Sequence, residues 1–70
     1  MQTKYKVYYS ENFGETYEFD SEISTINIYG YMSDLSEELS YQTHEWEYDE
    51  NELTVYDDYG NIYRFEKAVH

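Results

Sequence analysis

Leu53-Thr54-Val55-Tyr56-Asp57-Asp58-Tyr59-Gly60-Asn61-Ile62-Tyr63-Arg64-Phe65-Glu66 decides the fold. Two runs rich in β-branched and aromatic residues flank a polar turn that contains glycine. With Gly60 in the left-handed position of a three-residue loop, Asp58-Tyr59-Gly60, the strands fall into one register. Val55 then faces Tyr63, and Leu53 faces Phe65. These pairs form one apolar face of an antiparallel hairpin.

Upstream, Thr43–Asp49 alternates. His44, Trp46 and Tyr48 fall on one side, and Thr43, Glu45, Glu47 and Asp49 on the other. A two-residue turn at Glu50-Asn51 would set Tyr48 opposite Leu53 and Trp46 opposite Val55. Residues 43–69 therefore read as a three-stranded antiparallel meander. Near the start of the chain the pattern recurs in Val7-Tyr8-Tyr9-Ser10-Glu11-Asn12-Phe13-Gly14-Glu15-Thr16-Tyr17-Glu18-Phe19-Asp20. Both copies run Val-Tyr, polar turn, aromatic-Gly, Tyr-x-Phe-acid. Residues 1–21 read as a hairpin whose five-residue loop, Ser10 to Gly14, puts Val7 opposite Tyr17 and Tyr5 opposite Phe19.

Between hairpin and meander, Ser33-Asp34-Leu35-Ser36-Glu37-Glu38-Leu39 reads as a helix start, giving a helix over 33–42. Ser33 would cap it, and its acids would lie in the first turns, where the dipole favours them. Met32, Leu35 and Leu39 would share the apolar stripe. Residues 22–32 are read as strand, because Ile26 and Ile28 alternate, although Ile23 and Ile26 also fit a helical turn. The fold class is α+β: an antiparallel sheet of five or six strands with one short helix on one face. The echo between the terminal hairpins suggests that the first and last strands are neighbours. Lys4, Lys6, Arg64 and Lys67 would then form one basic patch beside Glu18, Asp20 and Glu66.

Seventy residues make one domain with a small core. Without cysteine there is no disulfide and no thiolate metal site. Eleven tyrosines, three phenylalanines and Trp46 supply the buried area instead. Low hydropathy with a net charge of −12 is the signature of disorder. The aromatic content, the absence of proline and the strand periodicity argue for folding. No apolar run reaches the roughly 20 residues that span a bilayer, and no signal peptide is visible. A cytoplasmic location is expected.

Charge is segregated. Ser10 to Tyr63 holds fifteen carboxylates and no lysine or arginine; the four basic residues lie outside it. Membranes and nucleic acid, both anionic, would be repelled, while a basic partner would be attracted quickly. Catalysis is not expected, since paired carboxylates need a cleft and His44 reads as a packed or edge histidine. No metal or other cofactor is expected. Counting an EF-hand loop from Asp49 or Asp57 puts Leu53 or Tyr59 at ligand positions, so these acids read as turn formers.

The remaining reading is an acidic interaction surface. Residues i and i+2 of a strand lie about 6.6–6.8 Å apart on one side. Glu45, Glu47 and Asp49 would make a row of charge at that step, with Glu52 across the turn and Asp57 and Asp58 beyond. Asp34, Glu37 and Glu38 add a helix patch. Such rows match a phosphate backbone in spacing and sign, whereas a merely solvated face would interleave both signs. Tyr56 and Tyr59 are candidate aromatic contacts.

In these respects the chain resembles the small acidic DNA-mimic inhibitors of phages and mobile elements: anti-CRISPR proteins, anti-restriction proteins and uracil-DNA glycosylase inhibitors. The likeness covers the whole chain in character (short, cysteine-free, acidic, α+β) and rests on no single motif. It implies a host cytoplasmic protein that blocks the groove of a basic nucleic-acid-binding protein or ribonucleoprotein, with an anti-CRISPR role ranked first. The alternative is an acidic, immunity-type module that neutralises a basic protein without mimicking nucleic acid. The sequence leaves the oligomeric state open.

Overall fold

In the computed structural model, which describes residues 1–68, the element order is β1 (Thr3–Ser10), β2 (Glu18–Thr25), α1 (Ile28–Gln42), β3 (Glu47–Asp49), β4 (Thr54–Tyr56) and β5 (Ile62–Lys67). Val69, the last residue of the expected meander, lies outside the described residues. The strands form one five-stranded sheet in the order β2-β1-β5-β4-β3, antiparallel throughout. The fold is α+β, with a single helix among the described residues. No helix among them is long and apolar enough to cross a membrane.

The β4–β5 hairpin has the expected register. Val55 pairs with Tyr63, and the Phe65 amide donates to the Leu53 carbonyl at 2.9 Å. Gly60 takes φ +94°, as its place in the three-residue loop requires. The terminal strands are neighbours, with Val7 opposite Phe65 and Tyr9 opposite Tyr63. Val7, Val55 and Phe65 sit on the sheet face that meets α1, where Ile28 and Met32 complete the buried core. Met32 and Val55 are fully enclosed. Tyr5, Ile23, Tyr31, Leu35, Leu39, Trp46, Leu53 and Tyr63 pack around them.

Three registers or boundaries differ from expectation. The first concerns β1–β2. Val7 pairs with Ser21, not Tyr17, and Tyr5 with Ile23, not Phe19; a bulge falls between Val7 and Tyr8. Beyond it Tyr8 meets Phe19. An extra residue reverses which side chains face the core. Phe19 is therefore exposed and meets the ring of Tyr8 edge-on at 5.9 Å, whereas its counterparts in the second copy, Tyr63 and Phe65, pack inward. The sequence echo persists in the turn glycines, both with positive φ, and breaks in the return strands.

The second concerns β3–β4. The turn spans four residues, with Asp49 paired to Thr54 and Tyr48 to Val55. That is a shift of two from expectation, so every residue keeps its face. The third is the helix, which begins at Ile28 rather than Ser33. Asn27 is its N-cap, its side chain accepting from the Tyr29 amide at 3.2 Å. Residues 28–32 are thus helical, not strand. Burying Ile28 and Met32 one turn apart outweighs the Ile26–Ile28 alternation. Gly30 leaves room for the cap, since a Cβ there would lie 3.2 Å from Asn27 Nδ2.

Candidate functional site

The helix boundary changes the meaning of the acids on α1. Met32, Leu35, Ser36 and Leu39 define the inward stripe. Asp34, Glu37, Glu38 and Tyr41 lie at 3.6-residue spacing on the opposite, exposed face. They line a hollow of about 350 Å³, and Tyr41 is 92% exposed. The first turn holds no acid and the last turn no base. The acids therefore sit in the middle and later turns, where the dipole does not favour them.

On the sheet, Tyr48 shares the core side with Val55. Glu47 and Asp49 consequently point to the open side, opposite Tyr56 and Thr54. β3 is an edge strand of three residues. Glu45 lies just before it and is exposed, so the expected three-acid strand row is a two-residue row with an exposed neighbour. Asp49 is half-buried and committed to its turn: Oδ1 accepts from the amides of Asn51 at 2.8 Å and Glu52 at 3.1 Å. Glu52 is exposed and Tyr56 half-buried.

Asp57 departs furthest from expectation, for it is a buried anchor rather than a surface contact. Its side chain is 0% exposed. Oδ1 accepts from the amides of Tyr59 and Asn61, both at 2.9 Å. Oδ2 accepts from Asn61 Nδ2 at 2.7 Å and lies 2.6 Å from His44 Nε2. Burial by itself would raise this carboxyl. The side chains of Asn61 and His44 and the two amides outweigh it and hold the group at about 2. Asn61 Oδ1 in turn accepts from the Tyr9 hydroxyl at 2.7 Å. Burial, reinforced by Tyr63, Glu11 and Asp57, pushes the Tyr9 hydroxyl up. Asp58 and Tyr59, next in the same turn, are exposed.

The fold therefore separates the expected contact residues. Asp34, Glu37 and Glu38 share the outer face of α1. Glu47, Asp49 and Tyr56 share the open side of the sheet, with Glu45 and Glu52 at its edge. Asp58 and Tyr59 stand at the β4–β5 turn.

Two of the four basic residues pair with acids outside these groups. Lys4 lies 3.9 Å from Glu22, and Arg64 lies 3.8 Å from Glu66. Lys4, Lys6 and Arg64 do gather on neighbouring strands on the open side, as expected from the terminal strand pairing, while Lys67 alternates to the other side. Among the described residues, no salt bridge involves Asp34, Glu37, Glu38, Glu45, Glu47, Glu52 or Asp58. No group of three or more histidine, aspartate or glutamate side chains among them is placed to hold a metal ion.

Two features escaped the sequence reading. One is the His44–Asp57 contact, which joins residues thirteen apart across two turns and leaves no periodic trace. The other is Phe13, 72% exposed at φ +60°, which the hairpin pattern treats as an ordinary turn residue. Comparison with protein-family models, curated proteins and solved structures returned no match.

Proposed function

We propose that this chain is an acidic inhibitor, of anti-CRISPR type, that occupies the nucleic-acid groove of a bacterial defence or repair protein by standing in for phosphate charge. The observation that carries this is the outer face of α1. Asp34, Glu37 and Glu38 neither cap the helix nor close a turn, and among the described residues no cation within salt-bridge distance offsets them. Their i,i+3 and i,i+4 repulsions each cost the helix about 0.2–0.5 kcal/mol. Asp49 and Asp57, by contrast, have structural work. Carboxylates that cost stability and sit on a rigid element fit a basic surface that must be met without reorganisation. Asp34 and Glu38 are offset about 6 Å along the helix axis, close to the strand step between Glu47 and Asp49.

The test starts with capture of the partner from a bacterial lysate, identified by mass spectrometry. Binding to the purified partner is then measured with increasing double-stranded DNA or guide RNA. Displacement by nucleic acid, with affinity falling steeply as salt rises, is the expected result. Undiminished binding in saturating nucleic acid would sink groove occupation and leave the immunity-type module that neutralises a basic protein.

A further inference from the structure

The β1–β2 loop and the β4–β5 turn are joined at one end of the sheet. The Phe13 amide donates to the Gly60 carbonyl at 3.0 Å. The Phe13 ring covers Gly60 so closely that a Cβ there would lie 2.9 Å from Cδ2. Tyr59, adjacent to Gly60 in the chain, is 69% exposed, its ring edge-on to His44 at 4.8 Å. Two exposed aromatic side chains thus meet one glycine, Phe13 through space and Tyr59 through the chain.

Both supports are wired in advance. Ser10 Oγ accepts from the amides of Asn12 at 3.3 Å and Gly14 at 2.9 Å, and Asn12 Oδ1 accepts from the Thr16 amide at 3.0 Å. Asp57 holds the second turn through the Tyr59 and Asn61 amides. Phe13 has neither of the usual reasons to be phenylalanine. Its side chain is mostly in water, and φ +60° suits asparagine or glycine better. Strain of this kind collects where a side chain is held for a purpose. Glu11, Glu15 and Asp58 lie within two residues of Phe13 or Tyr59 in the chain, are exposed and, among the described residues, form no salt bridge.

We propose that this tip is a docking surface for an arginine-bearing segment of a protein partner. Exposed aromatic side chains on acidic turns match a guanidinium, which stacks on a ring while its N–H groups pair with carboxylates. Anionic membranes and nucleic acids are refused by the same acids, and a purely apolar partner would leave them desolvated. The chain already makes this pairing internally: the Arg64 guanidinium lies 5.4 Å from the Tyr8 ring centre and 4.8 Å from that of Tyr17. The tip is separate from the acidic face of α1 and stands whether or not that face mimics nucleic acid.

The experiment is an amide-resolved NMR titration with nona-arginine and nona-lysine peptides at equal ionic strength. Nona-arginine is expected to shift the amides of Phe13, Gly14, Tyr59 and Gly60 and to bind more tightly than nona-lysine. Phe13→Asn with Tyr59→Ser is expected to weaken nona-arginine binding about tenfold. Phe13→Asn alone is expected to keep or raise Tm, because asparagine accepts the backbone. Neutralising α1 with Asp34→Asn, Glu37→Gln and Glu38→Gln is expected to leave the tip shifts in place. Equal binding of the two peptides, shifts confined to α1, or unchanged affinity in the double variant would overturn the proposal. A lower Tm for Phe13→Asn would also overturn it, by assigning Phe13 to the fold.

Discussion

His44 Nε2 lies 2.6 Å from Asp57 Oδ2. The contact ties the segment leaving α1 to the turn between β4 and β5. It places the one imidazole of the Ser10–Tyr63 stretch on a carboxylate that solvent does not reach. His44 also stacks on Trp46, with ring centres 5.6 Å apart and planes 13° apart. Trp46 itself packs against the core.

Asp57→Ala is expected to destabilise the domain by about 2–4 kcal/mol, because it strands buried donors as well as removing bonds. Urea unfolding of both proteins measures this. A loss below about 0.5 kcal/mol would show that water satisfies those donors in the variant.

Acid should dissolve the same anchor. The folded Asp57 carboxyl titrates at about 2 against 3.8 ordinarily. A depressed carboxyl stabilises fully above its unfolded value and loses that contribution as pH falls through the folded one. The contribution is on the order of 2 kcal/mol. The stability gap between the native chain and Asp57→Asn should therefore narrow as pH falls from about pH 4 to pH 2. Unfolding free energies measured across that range check the slope.

Gly60→Ala should cost about 1–2 kcal/mol from the left-handed backbone alone. The added Cβ would also meet the Phe13 ring at 2.9 Å and the Phe13 amide nitrogen at 3.2 Å. The clash links two loops, so the amides of residues 12–16 should lose hydrogen-exchange protection along with those of 57–61. Protection changes limited to the second turn would show that the loops move independently.

Glu38→Lys offers a trade between stability and binding. A lysine four residues after Asp34 replaces a repulsion with a favourable pair and puts a cation nearer the helix C-terminus. A gain of about 0.5–1 kcal/mol, and a Tm higher by a few degrees, is expected. Binding to the basic partner should weaken at least about tenfold if the outer face of α1 is the contact. Thermal unfolding and a binding isotherm on the same preparation separate the two effects. Unchanged affinity would move the contact away from α1.

What could be read in advance followed from local rules. The β4–β5 register was legible because Gly60, the three-residue loop and the pairs Val55–Tyr63 and Leu53–Phe65 all agree. The helix stripe through Met32, Leu35 and Leu39 was legible from its spacing, but its start was not, since Asn27 caps a turn that resembles strand until Ile28 and Met32 are buried together. The β1–β2 register failed at one bulge, which has no compositional marker. Of the expected contact residues, most are exposed. Asp57 is not, because an Asp opening a turn looks the same whether its carboxylate faces water or four internal donors.

The sequence by itself determined the α+β class, the antiparallel hairpins and the separation of charge, because period, turn chemistry and composition act locally; the order of the strands, β1 beside β5 included, came from the tertiary structure. Only the tertiary structure decided which carboxylates are free to meet a partner. Exposure depends on distant packing: α1 turns Asp34, Glu37 and Glu38 outward, while His44 and Asn61 close over Asp57. The same packing seats the Phe13 ring over Gly60, which no local pattern specifies.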